Sequence, residues 1–493
     1  MNLANALIDS VRQYPDKTAI YWGGTEISYN QVLGQSEWVK RYLMDVCDIQ
    51  PGDRVALWMK NTPEFVSIFF GALRAGAVIV PLNHFLTASE ALFILQDSGA
   101  KLVFVDNSLV EAAFKVCETL TDLGICKLKE LDVDHSEFDN VVQSDVLKNE
   151  QDLALIIYTS GTTGRPKGAM LSHGNLHHNV ASCEHTMQTS ENDKVALLLP
   201  MFHSFMVTVG ILLPMKIGGS IVLIKSLHPP KNILKEIIAS QATIMPAVPQ
   251  FYRAFAAAPL PELPLRLCIS GAAPLPMEVL KRFNQQSNLS LIESYGLSEA
   301  SPVVTLNPID GPWKVGSIGL PIHDVQVAIM DPKGNEMPVG QKGELWVRGD
   351  NVMLGYWNRP EATAEALQDG WLKTGDMGHS DEEGYFYVTD RKKDMLLVNG
   401  INVYPREIEE LLYQFEGVKE ASVVGQKDQR KGEKPVAFVV MEEGCSRDPG
   451  ALQAFLKPRL AAYKIPRKIN FIENLPRNAT GKILKTALRQ QLH

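Results

Sequence analysis

Residues 158–168 read YTSGTTGRPKG, a loop whose side chains suit phosphate chemistry. Hydroxyls at Thr159, Ser160, Thr162 and Thr163, glycines at Gly161 and Gly164, and the ammonium of Lys167 can wrap a polyphosphate. Backbone N–H groups and hydroxyls would donate, and the lysine would add charge. The nucleotide-hydrolase pattern G-x-x-x-x-G-K-[ST] does not fit. Counted from Gly161, its second glycine position holds Pro166, and Gly168 follows Lys167 where Ser or Thr is needed. An apolar strand before the loop and a helix capped by Ser172 after it would hold it in place. Further along, ESYGLSE (293–299) offers Tyr295 as a flat aromatic face for a base. The same stretch offers Glu299 as a hard oxygen ligand for Mg²⁺ beside phosphates. YGLSE alone would read equally well as a strand end with a buried tyrosine and a solvated glutamate.

Further stretches follow in order: SGAAPL at 270–275, TGD at 374–376, DRKKD at 390–394, NGINVYP at 399–405 and RNATGK at 477–482. With the loop and ESYGLSE, they make the chain resemble the adenylate-forming superfamily over roughly residues 15–490. That superfamily comprises acyl-CoA synthetases, firefly-type luciferases and peptide-synthetase adenylation domains. The resemblance implies an α/β fold with a large N-terminal domain of mixed and parallel sheets flanked by helices, and a small mobile α+β lid. It also implies ATP, Mg²⁺ and CoA, or a carrier protein's phosphopantetheine, as the small molecules bound.

The resemblance implies roles residue by residue. Thr159–Gly164 and Lys167 take the phosphates. Gly271, Ala272 and Ala273, with Glu293, Ser294, Tyr295, Gly296, Leu297 and Ser298, line the nucleotide site, Tyr295 stacking on the base. Glu299 holds magnesium and Asp376 accepts from the ribose hydroxyls. Arg391 reaches ribose and phosphates, and Lys393 is the hinge. Lys482 is the adenylation lysine, an ammonium that can pair the substrate carboxylate with the α-phosphate. Gly400 lies in a loop that the rotated lid brings to the entry of the pantetheine arm. Plainer readings stand beside these: a turn aspartate at 376, a solvated basic linker at 391–393, a solubility lysine at 482 and an Asn-Gly turn at 399–400.

His203, in PMFHSF, occupies the family position at the mouth of the acyl pocket, the third catalytic candidate beside Lys482 and Glu299. Amino-acid-activating relatives carry an aspartate there or next to it. Phe202, His203, Ser204 and Phe205 offer no carboxylate, so an α-amino acid is not expected. Phe205, Met206, Val207 and Val209, facing Gly271–Ala273, suggest an apolar pocket. The expected activity is activation of a carboxylic acid, a fatty acid first, to an acyl-adenylate, then transfer to the thiol of CoA. An acyl carrier protein as acceptor and an aryl acid as substrate are the alternatives. A light-emitting oxidase would need extra chemistry with no legible signature, and a catalytically dead scaffold would have lost Lys482, Glu299 or the Thr162–Thr163 pair.

The elements that must position these residues are partly legible. Residues 52–84 alternate strand, amphipathic helix and strand, a βαβ unit that favours a parallel sheet. Short apolar runs at 101–105, 153–158, 221–224 and 242–245 continue the alternation. From Asp390–Lys393 the pattern changes. Pro405 opens a helix with Ile408, Leu411, Leu412 and Phe415 on one face and Gly417 placed to stop it. Strands at 421–425 and 435–441 follow, then a helix bearing Leu452, Phe455, Leu456 and Leu460. The expected domains are 1–390 and 391–493, hinged near 390–394.

Charge supports the division. Residues 391–493 hold 19 Lys+Arg against 12 Asp+Glu, a net +7 on a chain of −8 overall. A basic lid closing over phosphates fits better than a disordered nucleic-acid tail, and no nucleic-acid partner is expected. The run 195–215 is apolar and free of charged residues. Pro200, His203, Ser204, Gly210 and Pro214 interrupt it, so a buried strand, turn and helix are expected rather than a membrane span. Six cysteines without a C-x-x-C pair and a start without a basic, apolar leader point to a cytoplasmic protein, with Cys183 and Cys268 as buried fillers. A homodimer is an open expectation.

Overall fold

The computed structural model describes residues 2–128, 145–159, 166–257, 259–399, 401–428, 432–477 and 482–492. Ser160–Gly164 of the phosphate loop, Gly400, and Thr480–Gly481 beside Lys482 lie outside these residues. Two large sheets make up most of the N-terminal part. A nine-stranded sheet has six central parallel strands, ordered Leu291–Gly296, Leu267–Ser270, Ile244–Ala247, Lys194–Leu197, Ser220–Leu223 and Thr18–Trp22, with antiparallel strands at both edges. A seven-stranded sheet carries five parallel strands, ending at Leu153–Thr159, to which Lys167–Ser172 adds antiparallel. Residues 52–84 form the expected unit: strand Arg54–Trp58 and strand Val78–Pro81 run parallel, joined by helix Pro63–Arg74.

Alternate residues of each strand serve two cores, as the period of two requires. Leu57 and Leu155 of one sheet and Leu197, Ile221 and Ile269 of the other share a central core with the helices between them, including Phe69, Phe70 and Val180. Met245, Cys268 and Leu291 face outward to helices Lys231–Ser240 and Met277–Gln286. Trp58, Val103 and Ile156 pack outward beneath helix Ala88–Ser98. Truncating one of the central phenylalanines to alanine is expected to cost about 3–5 kcal/mol. Capping boxes fix the helix entries at Ser28–Gln31, Thr87–Glu90 and Ser172–Asn175. Ser172 therefore caps helix His173–Met187 as expected, with strand Lys167–Ser172 between loop and helix.

The apolar run 195–215 resolves into strand Lys194–Leu197, a turn, a π-helical segment Met206–Leu212 and helix Leu213–Ile217. Apart from the partly exposed Phe202, its large hydrophobic side chains are buried in the core. No helix among the described residues is long and apolar enough to cross a membrane.

A third, antiparallel sheet contains Trp371–Ser380 and Phe386–Arg391. Five residues past Arg391 the chain enters a separate C-terminal sheet at Leu396, built mainly from the long hairpin Val418–Asp428 and Gly432–Met441. Helices Pro405–Tyr413 and Pro449–Leu456 cover one face, with Ile408, Leu412, Leu452, Leu456 and Leu460 in its core. The first of these helices ends at Tyr413, earlier than the sequence suggested. Gly417, at φ +83°, turns the chain into the next strand instead.

Candidate active site

The C-terminal ends of the parallel strands open toward the antiparallel sheet and the C-terminal unit, where a cavity of about 220 Å³ lies between them. Strand Leu291–Gly296 brings Tyr295 to its wall, and strand Trp371–Ser380 brings Asp376. Asp376 and Arg391 are register partners across an antiparallel pair, so their side chains leave the same sheet face side by side. The Tyr295 hydroxyl donates to Asp376 Oδ2 at 2.6 Å, and Arg391 Nε lies 3.2 Å from Asp376 Oδ1. Asp376 is thereby buried but charge-paired, and the same burial beside a carboxylate pushes the Tyr295 phenol far above its ordinary range. Gly296 is required by packing, because a Cβ there would stand 2.2 Å from the carbonyl oxygen of Pro302.

Lys482 enters the same cavity from the C-terminal unit. Burial, then the positive charges of Arg391 and Lys393, lower its pKa to about 7, against the opposing pull of Asp376 and Asp394. His203 is lowered to about 4, first by burial and then by the charge of Lys482, so it stands neutral with that ammonium nearby. Its Nδ1 accepts from the Phe205 N–H at 3.2 Å. Ser204, the next residue, hydrogen bonds Ser298 at 2.9 Å, which ties the PMFHSF turn to ESYGLSE.

Glu299 sits beside the described edge of the phosphate loop. Its Oε1 accepts from the Tyr356 hydroxyl at 2.9 Å and from Thr159 Oγ1 at 3.4 Å. Lys167 Nζ lies 5.2 Å from the centre of the Tyr356 ring. One carboxylate among hydroxyls next to a phosphate loop suits Mg²⁺, which keeps waters and phosphate oxygens in its shell and needs no all-protein cage. Among the described residues no group of three or more His, Cys, Asp or Glu is placed to hold a metal.

Ala272 and Ala273 line the cavity, and Ala272 adopts φ +62°, a conformation that costs a residue with a Cβ. At Gly271 a Cβ would meet the Phe205 ring at 3.2 Å, so the missing side chain makes room for that ring. Phe205 and Val209 also face a small, mostly apolar void of about 10 Å³, lined too by Cys183, Met187 and Ile269 and by the hydroxyl residues Thr186 and Ser294. Met206 and Val207 belong to the packed core and do not line that void. Cys183 and Cys268 are buried, and burial raises each thiol to about 12, so neither is a nucleophile.

Glu293 and Ser294 line the cavity with Tyr295 and Gly296, while Leu297 and Ser298 carry the chain on to Glu299. Lys393 is exposed in the turn beyond Arg391. Several side chains around the site escaped the sequence reading: Tyr356 on Glu299; Arg406, whose backbone N–H donates to Asp390 Oδ2 at 2.9 Å; and Glu344, which accepts from the Gly375 N–H at 3.0 Å and pairs with Lys392. Tyr356 and Glu344 come from stretches with no distinctive spacing, so only the fold could reveal them, whereas Arg406 directly follows the NGINVYP motif.

Comparison with known proteins identifies the family and matches the fold. A family model described as "AMP-binding enzyme" matches residues 7–357, and one for the "AMP-binding enzyme C-terminal domain" matches residues 407–482. A long-chain-fatty-acid–CoA ligase of Bacillus subtilis (strain 168) is 36% identical over 533 aligned positions, 99% of this chain and 94% of the relative. A feruloyl-CoA synthase of an Amycolatopsis species is 37% identical over 487 positions, 97% of each. Crystal structures of MatB from Rhodopseudomonas palustris, 32% identical and covering 99% of this chain and 98% of theirs, superpose with TM-scores of 0.93 for the ATP-bound form and 0.81 for the apo form. The chain belongs to the AMP-binding enzyme family, the adenylate-forming class that its fold and motifs define.

Proposed function

We propose that this protein is an AMP-forming acid–thiol ligase acting on an acid with an apolar body, a fatty acid first, with CoA as acceptor. The observation that carries the reading is the meeting of Tyr295, Asp376, Arg391 and Lys482 in one cleft between the N-terminal part and the C-terminal unit. End-to-end similarity to CoA ligases supports it.

In the first step a carboxylate oxygen of the acid attacks the α-phosphorus of ATP, and the bond to pyrophosphate breaks. Asp376 accepts from the ribose hydroxyls, Arg391 reaches ribose and phosphate, and Tyr295 offers its ring to the base. Lys482 draws carboxylate and α-phosphate together, so catalysis is chiefly positioning and electrostatics. Thr159, Lys167 and the loop between them take the phosphates. Glu299, held by Tyr356 and Thr159, would hold Mg²⁺, which screens phosphate charge when bound. In the second step the thiolate attacks the acyl carbonyl carbon and AMP leaves. The C-terminal unit, residues 391–493, turns about Lys393 between the two steps and brings Gly400 to the thiol entry. The better match to the ATP-bound than to the apo MatB supports reading the present arrangement as the one for adenylation.

A second reading of the substrate, an aryl acid, is favoured by one observation. The alignment with the fatty-acid ligase runs over 533 positions, more than this chain has residues, whereas that with the feruloyl-CoA synthase runs over 487. The chain thus lacks segments of the fatty-acid ligase but matches the aryl enzyme nearly residue for residue in length. A carrier-protein thiol is the alternative acceptor, and the enzyme acts in the cytoplasm.

ATP–pyrophosphate exchange across fatty, aryl and amino acids, without CoA, tests it. Exchange confined to one apolar acid class establishes adenylation and names the class. Addition of CoA or of a phosphopantetheinylated carrier then identifies the acceptor. Silence across the panel, or strong exchange with a common amino acid, refutes the reading.

A further inference from the structure

Gln250, Arg253 and Arg477 line the same cavity as Tyr295 and Lys482, and there one carboxylate, Glu420, joins the C-terminal unit to the N-terminal part. Helix Pro249–Phe255, which follows strand Ile244–Ala247 of the nine-stranded sheet, presents Arg253. Its Nη1 lies 2.8 Å from Glu420 Oε1, on the C-terminal hairpin. Arg477 Nη2, also from the C-terminal unit, lies 2.8 Å from the same oxygen. Arg253 additionally stacks its guanidinium over the ring of Tyr413, 5.4 Å away. Gln250, three residues before Arg253, accepts from Arg477 Nε at 2.6 Å with its amide oxygen turned to the guanidinium.

An exposed ion pair contributes little, because water competes and two long side chains must be ordered. This one differs in burial and in connection. The Glu420 side chain is only 12% exposed, and it is shared by guanidiniums from both sides of the cleft. The backbone of Arg477 pairs with that of Ile483, and the Leu484 N–H donates to the Pro476 carbonyl at 2.8 Å. Arg477 therefore stands at the foot of the segment that carries Lys482, and Glu420 fixes that foot to the N-terminal helix.

We infer that Glu420, with Arg253 and Arg477, positions Lys482 for the first half-reaction and lets go for the second. This rests on the proposed use of two lid arrangements. A rotation of the C-terminal unit about residues 390–394 separates Arg253 from Glu420, so the contact exists only in the adenylating arrangement. Glu420 is a positioning residue that acts through Lys482.

The test is Glu420→Gln and Arg253→Ala, singly and together, with three readouts. Each single variant should lower kcat for pyrophosphate exchange roughly tenfold or more, since small misplacements of a catalytic group are costly. The double variant should fall little further than the worse single one, because each single variant already removes the Arg253–Glu420 contact. Thioester formation from supplied acyl-adenylate should be unchanged or faster, which also shows that the variants are folded. Tryptic cleavage at the Arg391–Lys392–Lys393 run should accelerate severalfold in the unliganded protein, a readout independent of activity. Equal loss in both half-reactions, full additivity, or unchanged exchange with unchanged cleavage overturns the inference. Absence of exchange in the unsubstituted protein overturns the ligase reading itself, a result the variants cannot mimic.

Discussion

Glu293 gives a prediction whose size can be worked from the structure. Its side chain is 7% exposed, accepts from the Leu275 N–H at 3.1 Å, and has Arg406 Nη2 4.0 Å away, too far for a direct hydrogen bond. Burial outweighs that distant charge and raises the carboxyl from 4.5 to about 7. Between those values the folded protein keeps a proton that the unfolded chain has lost, so stability falls as pH rises from about 4.5 to about 7. Above that the full penalty stands. At about 1.36 kcal/mol per pH unit the gap amounts to about 3 kcal/mol. Glu293→Gln preserves shape and the acceptor for Leu275 but cannot ionise. The variant should be more stable than the parent by about 3 kcal/mol at pH 8 and nearly equal to it at pH 4.5. With about 2.1 cal/mol/K of unfolding entropy per residue over the N-terminal part, that is a Tm higher by about 4 °C at pH 8. Paired thermal unfolding across pH 4.5–8 measures it. A difference that does not change with pH, or a variant less stable at pH 8, refutes the claim that Glu293 is held against ionisation by burial.

Other outcomes follow from the site. Lys482→Ala should abolish pyrophosphate exchange while sparing thiol transfer from supplied acyl-adenylate; equal loss of both removes its role. With the Lys482 pKa near 7, the ammonium of the free enzyme is present below that pH and lost above it, so kcat/KM for ATP in exchange should fall as pH rises past 7. Lys482→Arg should flatten that fall, and a fall unchanged by the arginine assigns it elsewhere. Tyr356→Phe removes a donor to Glu299 and should raise the Mg²⁺ needed for half-maximal exchange about tenfold, measured by metal titration. Lys393→Pro should spare exchange and stop thioester formation, and an intact second step removes the hinge.

The sequence by itself determined a good deal. Runs of apolar residues at strand length, separated by amphipathic helices, specify parallel sheets because each crossover must bury its apolar face on the sheet it spans. Ser172, Pro405 and the βαβ unit at 52–84 could be placed because caps, prolines and periodicity act over a few residues. The candidate residues Tyr295, Asp376, Arg391 and Lys482 could be picked only through the family resemblance, whose motifs are short and local too. Tertiary structure alone decided what lies between them. That Asp376 pairs with Arg391 depends on strand register, and that Lys482 reaches both depends on how two separately folded units meet. Tyr356 reaches Glu299, and Arg253 and Arg477 share Glu420, across 57, 167 and 57 positions of chain. No local pattern encodes such contacts, since they arise only when packing brings distant segments within hydrogen-bonding distance. Whether a buried carboxylate such as Glu293 is charged is decided in the same way. Its pKa is set by the water that folding removes and by the distance to Arg406, neither of which is written in its neighbours along the chain.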